Sequence, residues 1–207
     1  MKKLVLSVAF LFALNCMYAQ DITLPAPTKD GGKPLMEALN SRRSVREIAE
    51  TPLSQQTLSD LLWAAAGVNR PDGRRTAPTA MNMQEIDIYV YTAEAVYLYL
   101  PQEHTLKHLL TGDFRAETVK QPFARKAPVL LLYVANYERM KRLDQQQKDF
   151  YGATDTGFIS QNVYLFCAQE GLNTVVLGMI DRDAAKNRLG FDGKAQLGQP
   201  VGYPKLR

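Results

Sequence analysis

Apolar and polar positions alternate with a period of two in EIDIYVYT and again in AVYLYL, which predicts two strands joined in a hairpin-like pair. APVLLLYVAN is apolar without interruption and bounded by turn residues, the mark of a central strand buried on both faces. Helical spacing governs elsewhere. Leu58, Leu61, Leu62 and Ala65 share a helical face that stops at Gly67, with Ser54 placed to cap it after the Thr51-Pro52 break. A short helix is predicted from Pro34 through LMEALNS to the cluster RRSVR, and a long one over residues 150–170, with Phe158, Val163, Phe166 and Cys167 among its apolar positions. A helical stretch carrying His104 and His108 is expected after Pro101, a polar, exposed helix over residues 137–148, and a short helix in DAAKNRLG. LNTVVLGMI reads as a strand running into a loop, the last strand falls near QPVGYP, and residues 69–84 form a long loop. Helices and strands mix without regular βαβ alternation, repeat or linker. The fold class is therefore α+β in one domain, 34–207, after an extended lead-in at 20–33.

The first nineteen residues follow another pattern. Lys2 and Lys3 precede an apolar run over residues 4–14, and a polar stretch ends at Ala19. A bilayer-spanning helix needs about 20 apolar residues, so this layout is that of a secretory signal. The expected cut lies between Ala19 and Gln20, although Met17 is bulkier than the residue usual at that place. Acylation at Cys16, as in a lipoprotein, would need a small residue where Asn15 stands. The mature chain is expected in the periplasm, without stable membrane insertion.

Composition adjusts this picture only slightly. Twenty-five Lys and Arg against 21 Asp and Glu give a net charge of +4, with 46% hydrophobic and 22% charged residues. Those values exclude a disordered, collagen-like or coiled-coil chain and call for no nucleic-acid partner. Without residues 1–19, whose only charges are Lys2 and Lys3, the net charge halves to +2 and Cys167 is the one cysteine left. A lone thiol within NVYLFCAQ, with no His or Asn constellation beside it, reads as a small buried hydrophobe.

Candidate chemistry is concentrated in two places. Arg42, Arg43, Ser44 and Arg46 fall at the end of a predicted helix, where cations complement the helix dipole. The same residues make a phosphate cradle, since guanidinium forks bind phosphate oxygens in pairs and the Ser44 hydroxyl adds a donor. The loop APTAMNMQ is either a simple turn or a reader of a polar heterocycle through Asn82 and Gln84. Asp155-Thr156-Gly157 matches the aspartic-protease tripeptide but occurs once, whereas that chemistry needs two carboxylates sharing a site. His104 and His108, four apart, would share a helical face and suit a metal, but no third ligand has plausible spacing. Neither G-x-G-x-x-G nor a P-loop is present.

Taken in order, SRRSVR, APTAMNMQ, GATDTGFISQNVYLFCAQEGL, TVVLGMID and PVGYP resemble the flavin-dependent nitroreductase family over residues 34–204. AVYLYL followed by EHTLKHLLTGDFR is similar to the branch containing azoline-oxidising dehydrogenases. The resemblance implies an α+β fold with a mainly antiparallel sheet, an intertwined homodimer and one FMN at each subunit interface. By the same analogy Arg42, Arg43, Ser44 and Arg46 hold the phosphate and the pyrimidine edge of the flavin. Pro78, Thr79, Ala80, Asn82 and Gln84 approach from the partner subunit, and Leu177 and Gly178 place backbone groups near flavin N5. Lys205 or Arg207 completes the phosphate site, and no metal is implied.

Three positions depart from the family pattern. Thr79 stands where Ser is usual, and Leu177 where many relatives have Glu. The sequence ends at Arg207, short of the C-terminal arm with which some relatives embrace their partner, so a smaller dimer interface is expected. The implied activity is hydride transfer through flavin N5 to small electron-poor compounds such as nitroaromatics or quinones. Oxidation of a substrate, azoline fashion, and non-catalytic flavin binding are the alternatives. NAD(P)H is a cytoplasmic donor, so export favours an envelope donor such as a quinol or a partner protein.

Overall fold

In chain order the computed structural model, which describes residues 20–205, comprises β1 (Ile22–Thr23), α1 (Leu35–Ser41), α2 (Gln55–Ala66), β2 (Ile86–Tyr91), β3 (Ala95–Leu100), β4 (Thr105–Thr111), α3 (Arg115–Thr118), β5 (Val129–Asn136), α4 (Gln145–Glu170), β6 (Asn173–Thr174), α5 (Arg182–Leu189) and β7 (Gly193–Gly202). The expected leader and Arg207 lie outside the described residues. The strands form one sheet in the order β1-β4-β3-β2-β5-β7-β6, every neighbouring pair antiparallel. This is the α+β class expected from the sequence.

The continuous apolar run of β5 follows from its place between β2 and β7. Val129, Leu131, Tyr133 and Ala135 enter a cluster with Leu61 and Leu62 of α2 and Ile159, Val163 and Cys167 of α4. Leu130, Leu132 and Val134 point the other way, toward Val119, Ile180, Ala185 and Phe191. With a side-chain period of two, a strand covered on both faces needs apolar residues at every position.

Capping fixes the helices that carry the site. Ser54 Oγ accepts the Thr57 N–H at 3.0 Å to start α2. The Asp144 carboxylate accepts the Gln147 N–H at 2.8 Å while the Gln147 side chain accepts the Asp144 N–H, a reciprocal box that starts α4. Gly171, with φ 68°, ends α4 in the left-handed region. Gly152 lets α4 sit close on the sheet, because a Cβ there would come within 2.8 Å of Ala135 Cβ.

Several local expectations are corrected. Where a helix carrying His104 and His108 is expected, His104 ends a turn and His108 lies in strand β4, in which Leu106 pairs with Tyr99 of β3 on one side and Ile22 of β1 on the other. The apolar spacing of TLKHLL fits a helix locally, but pairing on both edges overrides it. His104 instead bonds Ser59 Oγ at 2.7 Å through Nε2 and the Tyr99 hydroxyl at 2.9 Å through Nδ1, so the shared-face metal pair has no geometric basis. The helix expected over residues 137–148 is a short 3-10 turn over Tyr137–Met140, since the Asp144 box starts α4 earlier than residue 150. LNTVVLGMI contributes only the two residues of β6, and the lead-in contributes β1.

Candidate functional site

α1 ends at Ser41, and the RRSVR segment leaves it extended. Val45 N–H bonds the Thr174 carbonyl at 2.9 Å, Ala49 N–H the Tyr203 carbonyl at 2.8 Å, and Lys205 N–H the Glu47 carbonyl at 3.1 Å. The arginine segment is thus held beside β6 and the C-terminal segment, which brings Lys205 to it. Tyr164 of α4 binds the group together. Its hydroxyl accepts the Val176 N–H and shares a proton with Ser44 Oγ, each at 2.9 Å, and the Arg42 guanidinium lies 5.3 Å from its ring centroid.

The four residues of the cluster differ in what they can offer. Arg43 Nη1 donates to the carbonyls of Asn40 and Arg42, at 2.7 and 2.9 Å, so it closes the C-terminus of α1. Among the described residues neither Arg42 nor Arg46 makes an ion pair or donates a side-chain hydrogen bond, and Arg46 is exposed. Two guanidinium groups with no hydrogen bond or ion pair among the described residues, one of them resting on the Tyr164 ring, are suited to an external anion.

Leu177 departs from the role implied for it. Its N–H donates to the Gly198 carbonyl at 2.7 Å and its carbonyl accepts the Gly198 N–H at 3.0 Å, which ties it to β7 and withdraws its N–H from any ligand. The neighbouring Gly178 is exposed and remains as the backbone donor of this loop.

The loop over residues 78–84 is a second, separate group. Met81, Asn82 and Gln84 have φ of 51°, 53° and 52°, a left-handed conformation that Asn tolerates and Met and Gln seldom adopt. The surrounding bonds enforce it. Thr79 Oγ1 accepts the Gln84 N–H at 3.0 Å, Asp155 Oδ2 accepts the Ala80 N–H at 2.8 Å, and Arg139 Nη1 donates to the Gln84 carbonyl at 2.9 Å. The Gln84 side-chain nitrogen donates to the Gly73 carbonyl at 3.0 Å, so Gln84 braces the loop and only its side-chain oxygen is left for a ligand. Pro78, Asn82 and Met81 are exposed at the tip, and the Thr79 hydroxyl keeps its proton to donate. Held conformations of this kind gather where a ligand must be met by a fixed surface.

The two groups are anchored at separate points of α4. Ala80 is anchored at Asp155 and Arg42 at Tyr164, nine positions apart on α4 and hence about 13 Å along its axis.

Sequence reasoning missed Tyr164, which is hidden in an apolar helical stretch, and the buried Glu85. The Glu85 carboxyl is fully buried, and Asp155, 2% exposed, lies against it. Burial first, and Asp155 second, push the Glu85 carboxyl up to about 8. Burial also pushes the Cys167 thiol far above its ordinary range, which leaves it unreactive. Among the described residues no group of three His, Cys, Asp or Glu is placed to hold a metal.

Comparison with known proteins agrees across methods. The Nitroreductase family model matches residues 39–203. A protein of Methanocaldococcus jannaschii described as a nitroreductase is 34% identical over 178 residues, covering 81% of this chain and 90% of that protein. A crystal structure from Ralstonia eutropha JMP134, likewise described as a nitroreductase, superposes with a TM-score of 0.86 at 37% identity over 91% of each chain. The NADPH:FMN oxidoreductase of Vibrio harveyi, solved with NAD+, shares the fold at a TM-score of 0.64 and 18% identity, over 83% of this chain and 69% of that one.

Proposed function

The chain belongs to the nitroreductase family of oxidoreductases, and on that premise we propose that it is an FMN-dependent enzyme passing electrons to small electron-poor acceptors such as nitroaromatics or quinones. The observation that carries the cofactor reading is the junction where Arg42 and Arg46, without an ion pair or side-chain hydrogen bond among the described residues, share one segment with Ser44, to which Tyr164 ties Val176 and the Glu47 carbonyl ties Lys205. That donor set fits a flavin phosphate and pyrimidine ring. FMN would supply the hydride chemistry through its N5 when bound.

The chain's own residues would do the rest. Arg42 and Arg46 would hold the phosphate, with Lys205 adding charge, and a fixed guanidinium would favour negative charge on the flavin ring. Ser44, oriented by Tyr164, would donate to the ring edge, and the Gly178 N–H would remain available for a ring atom. The loop over residues 78–84 would close the site from a second copy of the chain. A homodimer is supported by apolar side chains left exposed, among them Leu35, Met36 and Leu39 of α1 and Phe150 and Phe158 of α4.

The signal-like pattern of residues 1–19 supports export, and an exported enzyme would take its electrons from an envelope quinol or redox protein. Substrate oxidation, azoline fashion, is the second reading, supported by the β3–β4 motif. Anaerobically reduced, FMN-loaded enzyme is expected to be reoxidised rapidly by a nitroaromatic or a quinone, and NAD(P)H alone to reduce it slowly, both followed by stopped-flow absorbance. Indifference to every such acceptor would remove the reductase reading, and fast reduction by NADPH would remove the envelope donor.

A further inference from the structure

Glu85 is the first residue after the 78–84 loop, and its carboxyl points into the protein beneath that loop. Neither of its oxygens meets a hydrogen-bond donor from any other described residue. What lies against it is the carboxyl of Asp155, whose Oδ2 accepts the Ala80 N–H at 2.8 Å. Two carboxylates have nothing to donate to each other, and two negative charges in a buried site repel. With one proton between them, Glu85 becomes a donor to Asp155, whose Oδ2 still accepts the Ala80 N–H. The shared proton then gives one Glu85 oxygen a partner and relieves the repulsion, and the loop is tied to α4 through the Ala80 N–H.

We propose that Glu85 and Asp155 share a single proton and act together as positioning residues for the 78–84 loop, so that loss of the proton at alkaline pH releases the loop and weakens the ligand it meets. The charged groups facing the pair are few. Arg139, from the 3-10 turn after β5, favours the ionised form of Glu85, and Arg75, from the long loop before β2, also senses the Glu85 charge. Arg139 is already engaged with Asp87 at 2.8 Å and with the Gln84 carbonyl, so neither of its contacts reaches the pair. The bearing of the latch on flavin rests on the function proposed above, whereas the latch itself is a property of the chain.

The test uses the full chain and its Glu85→Gln and Asp155→Asn variants. An amide at either position supplies a permanent donor to the neighbouring carboxyl, and at Glu85 it also removes the titrating group. Three quantities are followed from about pH 6 to pH 9.5. These are the infrared C=O stretch of a protonated carboxyl, hydrogen exchange of the Ala80 amide corrected for its intrinsic pH dependence, and FMN affinity by fluorescence quenching. In the parent protein the protonated-carboxyl band is expected to persist at neutral pH and vanish at alkaline pH. Ala80 protection and FMN affinity should fall with it, about tenfold per pH unit beyond the transition. Glu85→Gln should lack the band and give flat profiles, and Asp155→Asn, which leaves Glu85 buried but without its carboxyl neighbour, should move the transition to lower pH. Equal pH profiles in parent and variants, or no protonated carboxyl at neutral pH, would overturn the latch. If FMN fails to bind at every pH the flavin reading falls, and the infrared and exchange results still decide the latch. Should one variant not fold, the other carries the comparison.

Discussion

Replacing Arg42 and Arg46 together by alanine is expected to weaken FMN binding by about a hundredfold or more. A charge-assisted hydrogen bond contributes about 1.5–3 kcal/mol, and every 1.4 kcal/mol is about tenfold in affinity. Two such bonds, taken at the low end because Arg46 is exposed, give that factor. The fold should survive, since neither guanidinium holds another described residue by a hydrogen bond or an ion pair. Arg43→Ala is the internal control. Its guanidinium is committed to the carbonyls of Asn40 and Arg42, so its loss should disturb the end of α1 while leaving FMN affinity within a few-fold. Titration of each variant by flavin fluorescence checks this. Unchanged affinity in the double variant would place the phosphate elsewhere.

A stability difference that grows with pH is expected between the parent protein and Glu85→Gln. The Glu85 carboxyl titrates at about 8 in the folded chain, against an ordinary value of 4.5. Between those two values the unfolded chain has released the proton and the folded chain still holds it. The folded state therefore binds more protons, and stability falls as the pH rises through this window. Glutamine cannot ionise and removes this dependence. Relative to the parent, the variant should gain on the order of a few kcal/mol between pH 5 and pH 8.5. Any fixed cost of placing an amide in the site is the same at both values and cancels in the comparison. Urea denaturation at the two pH values measures the gain. A gap that does not change would mean that Glu85 is ionised throughout.

The sheet was legible in the sequence wherever local pattern and tertiary environment agree. β2 and β3 show the period of two because they send Ile86, Ile88, Val90, Tyr97 and Tyr99 to one core cluster and Tyr89, Tyr91 and Val96 to the other, and β5 is continuously apolar because both its faces are covered by aliphatic packing. Ser54 and the α2 stripe announce a helix for the same reason. The reading failed at β4, whose polar and apolar residues have helical spacing and whose strand character comes from partners distant in the chain. It failed again at residues 137–148, where the cap at Asp144 sets the helix start more firmly than composition does.

The candidate site divides along similar lines. The RRSVR cluster stood out by charge density, but which arginine is available depends on where the helix carbonyls lie, and only the structure separates Arg43 from Arg42 and Arg46. Gln84 and Leu177 were expected to meet the flavin, yet both are held by the fold, Gln84 by the Gly73 carbonyl and Leu177 by Gly198. Asp155 was noticed only as part of a protease tripeptide. Its partner in a carboxyl pair is Glu85, seventy residues earlier in the chain, a juxtaposition that no local motif encodes. Tyr164 has no sequence signal apart from its place among apolar helix residues.

The most direct measurement is the visible absorption spectrum of the purified protein during titration with FMN, before and after chemical reduction. A saturable complex of one FMN per chain, with bands that bleach on reduction and return in air, is the expected result. A colourless protein that takes up no added FMN at any pH would contradict the assignment.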